Sequence, residues 1–184
     1  MANFNLENGL FYTENTNTYE IPAMNERSDG VLNFDETVAP YLSRSMTGDY
    51  EVTAKFIPVN MSLGDSYGIY IYSNEDRVHV SLQETPDGTV VASGAVDFME
   101  TENPAVFVEN AELYLKIKKE GDAYEEFYSP DGEEYISCGK NILTSRSATK
   151  AGFKVNTFQG SSFYLKLEEV KIRSVSYTHL RAHE

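Results

Sequence analysis

The chain has little that a disulfide-stapled or membrane-spanning protein would need. Tryptophan is absent and there is one cysteine, Cys138, in 184 residues. A single thiol excludes any internal disulfide, so stability must come from a buried core, which a chain of this length can build. No run of 18 apolar residues exists, which excludes a membrane-spanning helix. The opening Met1-Ala2-Asn3-Phe4-Asn5-Leu6-Glu7 lacks the basic region and apolar stretch of a signal peptide. Taken at face value, these features place the chain in the cytoplasm. Basic residues are also few, 15 Lys and Arg against 29 Asp and Glu, for a formal net charge of −14. Cations so sparse and scattered cannot track a phosphate backbone, so neither nucleic acid nor an anionic membrane is expected as a partner. A neutral partner, or a cation such as Ca²⁺, fits better, and acidity also serves solubility.

What is present favours strands. The chain holds 13 Tyr and 10 Phe, residue types suited to pleated, half-buried surfaces. Tyr50, Val52, Ala54 and Phe56 alternate with Glu51, Thr53 and Lys55. The same period of two recurs at Val78, Val80 and Leu82, at Leu113, Leu115 and Ile117, and at Phe163, Leu165 and Leu167. Each predicts a strand with one buried and one wet face, as in antiparallel sheets. Weaker strand signals fall at 30–34, 41–46, 67–73, 89–96, 123–129, 134–138 and 151–157. Turn residues such as Thr47-Gly48-Asp49, Pro86-Asp87-Gly88 and Ser129-Pro130-Asp131-Gly132 separate these runs. No helical period, repeat or low-complexity linker is found. The fold class is therefore all-β, a two-sheet antiparallel sandwich or barrel.

Two hairpins can be read more closely. A two-residue loop at Asn74-Glu75 pairs Tyr72 with Arg77, Ile71 with Val78 and Tyr70 with His79. Ile69, Ile71, Val78 and Val80 then share one face, and Tyr70, Tyr72, Arg77, His79, Ser81 and Gln83 the other. For the next hairpin, a loop at Glu120-Gly121 would set Leu115 opposite Glu126 and put that carboxyl on the core side, which is costly unless it is paired. A one-residue change of loop length moves Glu126 outward, so its orientation stays open.

The order of features resembles a known family. Residues 38–56, VAPYLSRSMTGDYEVTAKF, and 65–83, DSYGIYIYSNEDRVHVSLQ, resemble the early strands of concanavalin A-like sandwiches. Residues 113–139, LYLKIKKEGDAYEEFYSPDGEEYISCG, are similar to a run in that group, with Tyr135 where Trp is usual. The resemblance spans roughly 30–173 and is nearest in style to the C-terminal sandwich of β-xylosidase-type glycoside hydrolases and to laminin-G-like modules. It implies a concanavalin A-like jelly roll, and it leaves open lectin, hydrolase, lyase or accessory roles.

The chemistry narrows this. No Glu-x-Asp-x-x-Glu occurs, the spacing that sets paired carboxylates on one strand face for glycoside hydrolysis. Neither does a Gly-x-Ser-x-Gly elbow. An enzyme is accordingly not the first expectation, and no catalytic residue is assigned. Rings and planar polar groups on one face suit sugar, because rings stack on C–H faces and polar groups bond hydroxyls. The expected ligand-binding residues are Tyr70, Tyr72, Arg77, His79 and Gln83, with Arg44 from the strand at 41–46. The competing reading is a wet sheet face that uses Tyr only for strand propensity. Oxygen ligands for Ca²⁺ occur at Asn33, Asp35 and Glu36 and at Asn74, Glu75 and Asp76 without EF-hand spacing, so no cofactor is assigned. Cys138 reads as a buried structural thiol. The first expectation is a carbohydrate-binding, lectin-like module for a glycan or oligosaccharide. A non-binding accessory domain beside a glycosidase domain, or a glycan hydrolase or lyase, are the alternatives.

The last ten residues, Val175-Ser176-Tyr177-Thr178-His179-Leu180-Arg181-Ala182-His183-Glu184, break from the pattern. They resemble one reading frame of the transposase adapter DNA used in sequencing libraries. We therefore expect one sandwich domain over 1–174 and a non-native tail at 175–184, with a natural gene that can continue past Ser174. On this reading the His179/His183 pair is no zinc site. A chain ending at Ser174 should unfold at the same temperature as the full chain in calorimetry; a clear loss would mean that the tail packs.

Overall fold

In a computed structural model of the chain, the structure describes residues 5–6, 11–13, 18–22, 41–73, 76–97, 99–142, 150–156 and 163–174. The strands are β1 (Asn5–Leu6), β2 (Phe11–Thr13), β3 (Thr18–Pro22), β4 (Tyr41–Ser45), β5 (Tyr50–Val59), β6 (Ser66–Ser73), β7 (Asp76–Thr85), β8 (Gly88–Asp97), β9 (Met99–Glu102), β10 (Val106–Phe107), β11 (Leu113–Glu120), β12 (Ala123–Ser129), β13 (Ile136–Ile142), β14 (Lys150–Asn156) and β15 (Tyr164–Ser174). They form two antiparallel sheets. One has eight strands, ordered β1-β4-β14-β6-β7-β8-β10, with β9 also on β8; the other has seven, ordered β13-β12-β11-β5-β15-β3-β2. This is the expected all-β sandwich. No helix among the described residues is long and apolar enough to cross a membrane.

Alternation explains the core. Val52, Phe56, Ile69, Ile71, Val78, Val80, Leu115, Ile117, Leu165 and Leu167 are all fully buried, as the period-two reading expects. The two sheets meet through one cluster that contains all ten. Phe56 of β5 stacks on Tyr67 of β6, with ring centroids 5.1 Å apart and planes 13° from parallel. The Tyr67 hydroxyl donates to the Ala111 carbonyl, so this buried phenol keeps a hydrogen-bond partner.

The β6–β7 register pairs Ile69 with Val80, Tyr70 with His79, Ile71 with Val78 and Tyr72 with Arg77, as the hairpin reading requires. Residues 74–75 themselves, and the 30–34 strand signal, lie outside the described residues, as do the 175–184 tail and Asn33, Asp35 and Glu36. Gly68 lets β6 and β7 approach closely. A Cβ there would lie 2.7 Å from the Ser81 Cα and closer still to the Val80 carbonyl oxygen.

The β11–β12 hairpin differs from the loop considered above. Glu120 pairs with Ala123, which leaves Gly121-Asp122 as the turn, and Ile117 stands opposite Glu126. The turn is fixed by Gly121 in the left-handed region, at φ 59°, and by the Asp49 carboxylate accepting from its N–H at 2.8 Å. This register keeps Glu126 on the core side, fully buried.

The strand signal at 134–138 also begins too early. The Asp131 carboxylate accepts from the N–H of Glu133 at 2.8 Å and of Glu134 at 3.2 Å, which holds the chain in a turn until Ile136. Those bonds stabilise the ionised form and keep the Asp131 carboxyl below its ordinary range.

Two substitutions test the packing. Leu115→Ala should cost about 2–5 kcal/mol in denaturant titration, since the side chain is enclosed. Gly68→Ala should cost more than about 1 kcal/mol, because the added methyl meets backbone that cannot rotate away. Gly68→Ala without measurable loss would mean that β6 and β7 are less closely apposed.

Candidate functional site

The eight-stranded sheet has a second face, turned away from the shared core. Its residues follow from register. One row reads Gly152, Tyr70, His79 and Gly94 across β14, β6, β7 and β8. The next reads Lys154, Gly68, Ser81 and Ala92. The third reads Asn156, Ser66, Gln83, Val90 and Phe107, and so reaches β10. Tyr70, His79 and Gln83 thus share one face, as expected. Tyr72 and Arg77 pair in the row beyond Tyr70 and His79; their side chains lie outside the described set. Arg44, whose side chain also lies outside the described set, holds a different register position. It pairs with Ala151, which pairs with Ile71, so its register position falls in a core-facing row. With a period of two, its neighbours Ser43 and Ser45 hold the positions on the polar face.

Burial grades across this face. On β14 and β6, Asn156 and Ser66 are enclosed, Lys154 is 5% exposed and Tyr70 is 4% exposed. Ser81 of β7 is also buried. His79, Gln83 and Ala92 are half-buried. At the β10 edge the Phe107 ring is 66% exposed.

The Tyr70 and His79 rings stack, with centroids 5.6 Å apart and planes 17° from parallel. The Lys154 ammonium stands 5.9 Å from the Tyr70 ring centroid. Asn156 Nδ2 donates to Ser66 Oγ at 3.4 Å. Tyr70 therefore does not offer a free stacking surface in this state; it forms a floor that sets the orientation of His79. The accessible part runs over β7, β8 and β10. There Gln83 and Phe107 flank Val90 in one row, two strand spacings or about 10 Å apart.

Sequence reasoning missed Phe107 and Lys154. Phe107 sits in a two-residue strand with no alternation to announce it. Lys154 does alternate, between Gly152 and Asn156 in the expected 151–157 strand, and that spacing was the available signal.

Two groups with strongly displaced ionisation lie outside this face. Burial pushes the Glu126 carboxyl up to about 7, against a bond from Asn141 Nδ2 to its Oε1 at 3.0 Å. Burial also pushes the Cys138 thiol up to about 12. Cys138 is partly buried against the core, close to the structural role expected of it. On the outer face of the seven-stranded sheet, the Lys116 ammonium lies 3.8 Å from the Tyr135 ring centroid and 4.6 Å from that of Phe127. These two rings are thus already in contact with a cation. A shallow depression on that sheet, lined by Lys118, Glu120, Ala123, Glu125 and Lys140, carries no ring, and its Lys118–Glu120 pair closes at 2.6 Å.

No protein-family profile matches this sequence, and no curated protein sequence is significantly similar to it. Solved structures do match. A functionally unknown protein from Saccharomyces cerevisiae superposes with a TM-score of 0.74 at 11% identity, covering 91% of this chain and 92% of that one. The GH43 BlXynB protein from Bacillus licheniformis gives 0.68 at 14% identity, covering 86% of this chain and 33% of that one. A legume lectin-like domain from Entamoeba histolytica gives 0.65 at 12% identity, covering 95% and 91%. The chain thus spans about a third of the length of the GH43 protein. At these identities the likeness is one of fold: the chain has a two-sheet β-sandwich fold of the concanavalin A-like kind.

Proposed function

We propose that this chain is a carbohydrate-binding, lectin-like module whose ligand lies across β7, β8 and β10. The observation that carries the reading is the face itself. It belongs to no core, and it combines a stacked Tyr70–His79 pair in one register row with the Gln83 amide and an exposed Phe107 ring two rows along. A ring can stack on the apolar face of a sugar while the amide and imidazole bond its hydroxyls. The separation of Gln83 and Phe107 suits a ligand of more than one ring. A second reading, an accessory sandwich beside a glycosidase domain, is favoured by the coverage of one third of a GH43 protein. That protein's own activity is not carried over.

An unbiased glycan array followed by titration calorimetry tests the first reading. Phe107→Ala should weaken binding about tenfold, the loss of one ring contact, and leave the melting temperature unchanged because the ring is exposed. Tyr70→Ala should behave differently. Its ring is enclosed, so truncation should cost on the order of 3 kcal/mol of stability. Full affinity in a Phe107→Ala/Gln83→Ala variant would place any glycan site elsewhere. A silent array would favour the accessory reading, and cleavage of a bound glycan the enzymatic one.

A further inference from the structure

Two carboxyls are buried among the described residues: Asp65, whose Oδ2 accepts from the Ser62 N–H, and Glu126, which faces the core from β12. The Glu126 Oε1 accepts from Asn141, and its Oε2 has no hydrogen-bond partner. The carboxyl stands on β12 between Ile117 of β11 and Gly139 of β13. Cys138 is the bulge residue of β13: Glu126 pairs with Gly139 and Phe127 with Ser137, so Cys138 has no opposite number. Beyond it a polar seam crosses to the other sheet. Ser93 Oγ of β8 donates to the Cys138 carbonyl at 3.1 Å, and Asn103 Nδ2 donates to Ser93 Oγ at 3.1 Å. Gly139 makes room for this seam, since a Cβ there would lie 2.5 Å from Ser93 Oγ and closer still to the Asn103 amide.

Other ionisable groups surround the carboxyl. Tyr50 of β5 and Tyr124 of β12 are buried one row along. Lys119 of β11 is 3.8 Å from Asp49, a partner of its own. Glu125 faces the opposite side of β12. Asp76 of β7 and Asp97 of β8 hold the register positions next to Val78 and Ala95.

We propose that Glu126, with Asn141 and the Ser93–Cys138–Asn103 seam, forms a pH-sensitive latch that holds the edge strand β13 onto the sandwich. β13 is placed to leave. It is last in its sheet, bulged, and shows Ile136 and Ile142 49% and 62% exposed, so its release uncovers little further apolar surface. A neutral carboxyl is tolerated in the core; a carboxylate there loses its water and keeps one amide contact. Its folded-state proton affinity is raised, so the closed state is favoured at low pH. That preference falls as pH rises from the ordinary carboxyl value towards about 7 and is flat above it. Opening of β13 brings water to the charge.

Hydrogen exchange of the full chain tests this, with rates corrected for the intrinsic pH dependence. Between about pH 5.5 and about pH 8.5, protection of β13 amides should fall more than about tenfold while that of β5 and β11 is kept. In Glu126→Gln the β13 protection should be the same at both pH values. An equal fall in the variant, or no fall in the wild type, would overturn the latch. A ¹³C titration of the wild-type Glu126 carboxyl needs no variant. A midpoint near 7 supports the proposal, and one at the ordinary carboxyl value overturns it.

Discussion

The register of β6 on β7 is the constraint on which the rest depends. In a strand, neighbouring side chains leave by opposite faces, so one pairing decides every side chain at once. Pairing Tyr70 with His79 sends Ile69, Ile71, Val78 and Val80 into the core. It leaves Tyr70, His79, Ser81 and Gln83 on the other face. A slip of one residue would bury the imidazole and expose the valines. Gly68, which lacks the Cβ that would meet Ser81, lets the two strands come close in this register. The candidate surface and the core are therefore two results of one pairing.

That surface does not end at the hairpin. β8 and β10 continue the same rows, and the edge strand carries Phe107, the most exposed ring among the described residues of this face. The inner rows on β14 and β6 are closed down, with Lys154 and Tyr70 nearly inaccessible. A rigid enclosed floor beside an accessible rim fits ligand binding well, because the groups that orient the contacts are already held and lose little freedom on association.

Much of this was legible in the sequence, for a physical reason. Strict alternation in β5, β7 and β11 identifies strands and their buried faces without any knowledge of partners, and every expected core residue is enclosed. Other features depend on tertiary neighbours. Alternation put Tyr70 on the polar face but could not say that the face is closed above it. The β10 strand is too short to carry a period. The turn itself was not legible: Glu120-Gly121 and Gly121-Asp122 differ little in sequence terms, and Asp49, some 72 residues away, supplies the contact that selects the second, while either turn sets Glu126 opposite a core residue. The register position of Arg44 was not legible because a weak strand gives no register, and its partner β14 sets the parity.

The central claim is that the polar face of the eight-stranded sheet, at its β7, β8 and β10 end, is where a glycan binds. Amide shift mapping of the ¹⁵N-labelled chain with the strongest array ligand addresses it most directly. The account predicts perturbed amides clustered on Gln83, His79, Ala92 and Phe107 and their strand neighbours, with β11 and β12 silent. Perturbations centred instead around Lys116, Phe127 and Tyr135, on the outer face of the other sheet, would contradict it.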